Sequence, residues 1–285
     1  MKRFMKKAFC TLCVISVLGS SAVYAAQTDT KAPELPQKVQ DIINGSKDIY
    51  GNGVPLQHGK GEYSTNFVSG GVNHTHQYIV ANALAILSND MGNSPLNSDY
   101  NAEVIMSNTD WPDGFGNETD FGTFAGHFYD PDTNKNWLGQ TSPTAKTRAD
   151  SYFNSAVERY KAGDATAAFL YLGRGTHYVS DANEPHHASN LTALNSNHTE
   201  FEAYVDANRT AYKIAGNTFA SSVYQQAINT SVSSLIQATA KQAKALAGQA
   251  QDSSTYSIAG EKSVQYAIKA VTQYIYKFAT EVGIY

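Results

Sequence analysis

From about position 73 onward, apolar residues recur every third or fourth place, the period of a helix with one face turned toward a core. Ile79, Val80, Ala83, Leu84 and Leu87 predict a helix over 76–87. Ser142-Pro143 reads as an N-cap and first-turn proline opening a helix that carries Tyr152, Val157 and Tyr160 and stops near Gly163. Asp164 caps the next, with Ala168, Tyr171, Leu172, Gly175 and Val179 on or near one side. A helix at His198, a segment over 219–247 and a last helix over 261–279 follow. Val264, Ala267, Ile268, Val271, Tyr274, Ile275 and Phe278 mark the buried stripe of that last helix. Successive segments show no two-residue alternation and the chain shows no internal repeat, so the pattern predicts an all-α fold.

The N-terminus breaks the pattern. Lys2, Arg3, Lys6 and Lys7 precede an apolar run from Ala8 to Leu18, and small residues surround Val23, Ala25 and Ala26. This order predicts a signal peptide over 1–25 and a secreted, extracellular protein. The apolar run is too short to span a bilayer, which takes about 20 residues, and no transmembrane segment is expected elsewhere. Cys10 and Cys13 both lie in the signal, so no disulfide or thiolate ligand is expected in the mature chain. Residues 26–62 are polar and lack periodicity, with Pro33, Pro36, Pro55 and glycines at 51, 53, 59 and 61; they read as a propeptide or loose N-terminal extension, or equally as an ordinary arm. Residues 63–285 then form one helical catalytic domain. The whole chain holds 21 basic and 25 acidic residues, and the first 25 positions take four of the basic ones and no acid, so the remainder stands at −8. That sign does not favour nonspecific attraction to nucleic acid.

The densest chemistry lies between residues 177 and 202, where His177, Asp181, His187, His198 and Glu202 follow the spacing H-x3-D-x5-H-x10-H-x3-E. Positions four apart share a helix face, so each His-carboxylate pair can present a nitrogen and an oxygen to one point. His187 follows Asn183, Glu184 and Pro185, where a turn can aim it back at either helix. Zinc accepts imidazole and carboxylate together, and an open site of that kind suits catalysis. The alternatives are a surface ion pair worth a few tenths of a kcal/mol at His177 and Asp181, and an ordinary first helical turn at His198 and Glu202. Upstream, His76, Asp113 and His127 are scattered candidates.

These residues give the chain a resemblance to the bacterial zinc-dependent phospholipases C of Bacillus and Clostridium. The motifs that carry it are Gly71-Val72-Asn73 leading to His76, Ile79 and Val80; the stretch from Phe124 to Asp132; Tyr171-Leu172-Gly173 with His177, Tyr178 and Asp181; Pro185 with His187; and His198 with Glu202. The match runs from about residue 70, is dense in the middle and thins after about residue 210. The resemblance implies a single compact multi-helix domain, of the type shared with single-strand nucleases, with three zinc ions in one cleft. It further implies that Asp113, His127, His177 and Asp181 hold one zinc, that Asp181 bridges to a second held also by His76, and that His187, His198 and Glu202 hold the third. Asp113 becomes the general base or water-orienting group, and Phe124 a substrate contact. The arrangement resembles the shorter Bacillus type, without the lipid-binding C-terminal β-sandwich of the clostridial toxins.

The chain departs from the family in two places. No Trp stands between the signal and His76 to supply the N-terminal ligand, although Tyr63 lies near the matching distance. Of the family's choline-pocket residues only Phe124 is present, since position 114 is Gly and residues 64–70 contain no Glu. The implied activity is hydrolysis of phosphatidylcholine-like phospholipids at a membrane surface, by a monomer, to diacylglycerol and a phosphorylated headgroup. A single-strand-specific zinc nuclease and a zinc-stabilised binding module without turnover are the alternatives. Phe124, Tyr129 and Trp111 are placed either at the mouth of the cleft or in the core.

Overall fold

The computed structural model describes residues 35–45, 75–114 and 116–285. The proposed signal, most of 26–62, Tyr63 and Gly71-Val72-Asn73 lie outside the described residues. The described elements are α1 (Gln37–Ile43), α2 (Thr75–Met91), α3 (Asp99–Thr109), α4 (Ala145–Lys161), α5 (Ala165–Asp181), α6 (His198–Asn208), α7 (Ser221–Asn229), α8 (Val232–Lys244), α9 (Ala247–Ala250) and α10 (Tyr256–Glu281), joined by short 3-10 turns. Among the described residues there is no β-strand, only an isolated bridge between Asp130 and Lys135. None of the described helices is long and apolar enough to cross a membrane.

α5 lies at the centre, against α4, α3, α10 and α2. Two glycines permit this packing. A Cβ on Gly173 would lie 2.4 Å from the Ile105 carbonyl of α3, and one on Gly175 would lie 2.0 Å from the Tyr274 hydroxyl of α10. That hydroxyl donates to the Ala149 carbonyl of α4 at 2.8 Å, so α10 is tied to both helices. The expected stripe of α10 is fully buried. α2 goes beyond its expected one-sided stripe: every residue from Thr75 to Ser88 is buried, because neighbours close on all its sides.

Other boundaries differ from the sequence reading for local reasons. α4 is capped by Thr144, not Ser142: the Thr144 hydroxyl accepts from the Thr147 amide and the Thr147 hydroxyl from the Thr144 amide, a reciprocal box that Ser142-Pro143 does not provide. The segment over 219–247 is two helices, because the Ser231 hydroxyl caps α8 by accepting from the Ser234 amide. α10 starts five residues earlier than expected, at Tyr256. The apolar spacing predicts neither α3 nor α1. Ser98 caps α3, and Val39 and Ile42 of α1 enter the core against α2 and α3, so part of the stretch read as a loose extension is packed.

Candidate metal centre

Six elements, three helices and three 3-10 turns, bring the eight sequence candidates together. The last turn of α5 carries His177 and Asp181, the first turn of α6 carries His198 and Glu202, and α2 carries His76 near its start. Three 3-10 turns, Trp111–Asp113, Ala125–His127 and His187–Ser189, deliver Asp113, His127 and His187. Seven of the eight are fully buried, and only Asp113 keeps a trace of side-chain exposure, 6%. Burial excludes the surface ion pair for His177 and Asp181.

Asp181 is the hub. Its Oδ2 lies 3.0 Å from His127 Nδ1 and 3.2 Å from His177 Nε2, while its Oδ1 faces His76 Nε2 at 3.7 Å and His187 Nδ1 at 3.6 Å. Asp113 Oδ1 closes the first group, 3.5 Å from His127 Nδ1 and 3.4 Å from His177 Nε2. In the other arm, Glu202 Oε1 is 2.8 Å from His198 Nε2 and 3.5 Å from His187 Nε2. Three clusters in the described residues have ligand atoms close enough to hold a metal ion: His76, His177 and Asp181; Asp113, His127 and His177; and Glu184, His187 and His198.

Backbone carbonyls orient the imidazoles. A carbonyl only accepts, so His177 Nδ1 donates to Thr109 O at 2.8 Å, His127 Nε2 to Glu118 O at 3.1 Å, and His187 Nδ1 to His127 O at 2.9 Å. Each bond fixes the ring's orientation and turns the other nitrogen toward the carboxylates. Metal-ligating histidines carry this kind of outer support.

The electrostatics ask for a cation. Burial opposes ionisation of Asp181, yet His177, His187 and His127 hold its carboxyl well below the usual range. Asp113 is likewise lowered, burial being outweighed by His177 and His127. His177 is raised well above its usual value, burial being overcome by Asp181 and Asp113. Burial, helped by His177, lowers His76 to about 3. Glu202 is pushed up to about 8 by burial, against the pull of His187 and with Glu184 acting in the same direction. Four buried atoms, Asp181 Oδ1, His187 Nε2, His198 Nδ1 and Glu202 Oε2, have no hydrogen-bond partner. Leaving such a group unsatisfied costs about 1–3 kcal/mol. Divalent zinc takes this nitrogen and oxygen donor set, so the residues fit the ion.

Comparison with known proteins agrees with that chemistry. A family model described as zinc dependent phospholipase C matches residues 75–246, which contain all eight candidates. The chain belongs to the zinc dependent phospholipase C family. A phospholipase C of Clostridium haemolyticum is 32% identical over 157 residues, 49% of this chain and 39% of that protein. One of Bacillus cereus is 41% identical over 104 residues, 35% of this chain and 36% of its relative. The matched stretch thus spans well under half the length of these curated relatives. The solved alpha toxin from Clostridium absonum shares the fold, with TM-score 0.65 and 24% identity over 73% of this chain and 64% of the toxin.

Two members of the site escape sequence reasoning, Glu184 and His186. Both are buried; Glu184 Oε1 pairs with His186 Nδ1 at 2.9 Å, and His186 Nε2 lies 3.1 Å from Asn197 Oδ1. Against its burial, Glu184 is held down at about 2 by His186. The available signal was a Glu and two adjacent histidines around Pro185 in an acid-poor stretch. Of the aromatic candidates, Phe124 faces the site, its ring 5.6 Å from that of His127. Tyr129 is a core residue whose hydroxyl donates to Asn134, because the turn after His127 points it inward. Trp111 lies under the Arg174 guanidinium, 3.4 Å from the ring centroid.

Proposed function

We propose that this chain is a secreted zinc metallo-phosphodiesterase that hydrolyses phosphatidylcholine-like phospholipids to diacylglycerol and a phosphorylated headgroup. The convergence of buried His and carboxylate donors on Asp181, in a family described as zinc dependent phospholipase C, carries this reading. Asp113, His127, His177 and Asp181 would hold one zinc, Asp181 and His76 a second, and His187, His198 and Glu202 a third. The basic and apolar stretch over 1–25 supports export.

Bound zinc supplies a Lewis acid that polarises the phosphoryl oxygens and lowers the pKa of water from about 15.7 toward about 7. The protein's own contribution is positional. Asp113, ionised at neutral pH and alone among the donors in keeping some exposure, accepts the proton of the attacking water. His127 and His177 keep its carboxylate in register at 3.5 and 3.4 Å. Phe124 offers an apolar wall beside His127 for the lipid.

The test is to incubate zinc-loaded protein separately with phosphatidylcholine vesicles and with single-stranded DNA. Diacylglycerol released from the vesicles is the expected result. Nucleotide release from DNA with intact vesicles would replace this reading with a nuclease, and zinc uptake with no product from either with a binding module.

A further inference from the structure

The loop between α5 and α6 carries a carboxylate that the family resemblance does not assign. Pro185 ends the helical path after Asp181, and the chain folds into a tight turn in which the Glu184 amide bonds Asp181 O and the Ala188 amide bonds Glu184 O. Asn183 anchors this turn, donating to Val179 O at 2.8 Å and accepting from the Thr239 hydroxyl of α8. The Glu184 side chain is thereby sent inward, where it is fully buried.

Its position is that of a ligand. Glu184 Oε2 lies 3.8 Å from His198 Nε2, and one atom each of Glu184, His187 and His198 fall within 4.8 Å of one another. Donors about 2.0–2.2 Å from a tetrahedral zinc stand roughly 3.3–3.6 Å apart. The spacings of 3.5 Å between His187 and Glu202, 2.8 Å between His198 and Glu202, and 3.8 Å between His198 and Glu184 bracket that range. The amide of His187 donates to Glu184 Oε2 at 2.6 Å, and His186 occupies Oε1 at 2.9 Å. A carboxylate has about four lone-pair sites, so these two bonds fix its direction and leave capacity for a metal. His187 Nε2 and Glu202 Oε2, fully buried and without hydrogen-bond partners, belong to the same group.

Charge points the same way. Two neutral imidazoles with one carboxylate would leave a divalent ion at +1 among fully buried side chains, and a second carboxylate brings the group to neutrality. We infer that Glu184 is a fourth protein ligand of the third metal, making His187, His198, Glu202 and Glu184 a closed two-histidine, two-carboxylate set. Closed sets of four protein ligands are structural, whereas catalytic ones keep a position open. The third ion then locks the α5–α6 turn, and hydrolysis falls to the groups around Asp113 and Asp181. This inference rests on the metal reading above and adds a ligand to it.

The experiment compares wild type, Glu184→Gln and His186→Ala after zinc loading and dialysis, by elemental analysis and by chelator competition. Three zinc per chain in wild type, two in E184Q and three in H186A is the expected result. The affinity for one ion should fall in E184Q by more than the roughly 10- to 100-fold that loss of an outer partner costs. Three tightly held ions in E184Q, or equal losses in E184Q and H186A, would overturn the assignment, the latter by making Glu184 a positioning residue. A crystal of the zinc-loaded wild type tests the same point independently of either variant's folding. A Glu184 oxygen within about 2.2 Å of the metal supports the inference, and one beyond about 3 Å refutes it. Wild-type protein that takes up no zinc would overturn the metal centre itself.

Discussion

His127 and Asp181, 54 positions apart in sequence, meet with Nδ1 3.0 Å from Oδ2 inside a site that excludes solvent. The other oxygen of Asp181 is turned to His76 and His187, so one carboxylate serves both arms of the cluster. Asp181→Asn is expected to cost two metal ions per chain, counted by elemental analysis, and to lower phospholipid hydrolysis at least about 100-fold, since a bound metal is worth several kcal/mol. His177→Ala should abolish hydrolysis of short-chain phosphatidylcholine. Retained activity there removes His177 from the ligands.

Metal uptake should release protons, and the amount should depend on pH in a defined sense. At pH 7 the metal-free protein holds a proton on Glu202, at about 8, and on His177, raised well above 6.5. Zinc displaces both. Titration of metal-free protein with zinc in weak buffer, followed by a pH dye, should therefore show less release at pH 9 than at pH 7. Equal release at the two pH values would contradict it.

Stability of the metal-free protein follows from the same groups. A group whose folded pKa is raised favours the folded state below its unfolded pKa, and that contribution is lost as pH rises through the folded value. Glu202, raised from 4.5 to about 8, and His177, raised from 6.5, therefore predict a midpoint of thermal unfolding that falls as pH rises from 6.5 to 8. His76 and His198, lowered to about 3 and about 4, lose their contribution only as pH drops below 6.5, outside that window. Zinc-loaded protein should lack the decline.

Arg148 acts on the centre through the backbone. Its guanidinium donates to Glu118 O at 3.0 Å and pairs with Asp120 at 2.5 Å, and Glu118 O is the carbonyl that receives His127 Nε2. Arg148→Met is expected to weaken zinc binding about 10- to 100-fold while leaving helix content unchanged. Chelator competition and circular dichroism would check this together.

Gly173→Ala should destabilise the fold by about 1–3 kcal/mol, the usual cost of overpacking. The added Cβ meets backbone, the Ile105 carbonyl, which cannot step aside as a flexible side chain would. Thermal unfolding of the metal-loaded protein measures it.

What the sequence made legible follows its local geometry. His177 with Asp181, and His198 with Glu202, are readable as pairs because helical period alone puts them on one face. Asp113, His127 and His76 sit on separate elements, and only resemblance to a family joined them. Glu184 and His186 stayed hidden because they lie in a turn, where spacing does not say which way a side chain points. α3 is not legible because Asn, Ser, Asp and Thr dilute its apolar positions, and its buried residues Ala102, Ile105, Met106 and Thr109 are too few to show a period. The closure of neighbours around α2 is a tertiary fact that no periodicity within 75–91 encodes.

The wedge of Tyr274 into the notch left by Gly175 has a bearing on when the core behind the site is completed. α10 carries none of the candidate ligands, yet it ties together α4 and α5, the helix that carries His177 and Asp181. A ribosome delivers residue 274 long after residue 202. A partly synthesised chain would hold every candidate ligand while lacking the helix that braces α5, so the core behind the site would close only once that late helix docks.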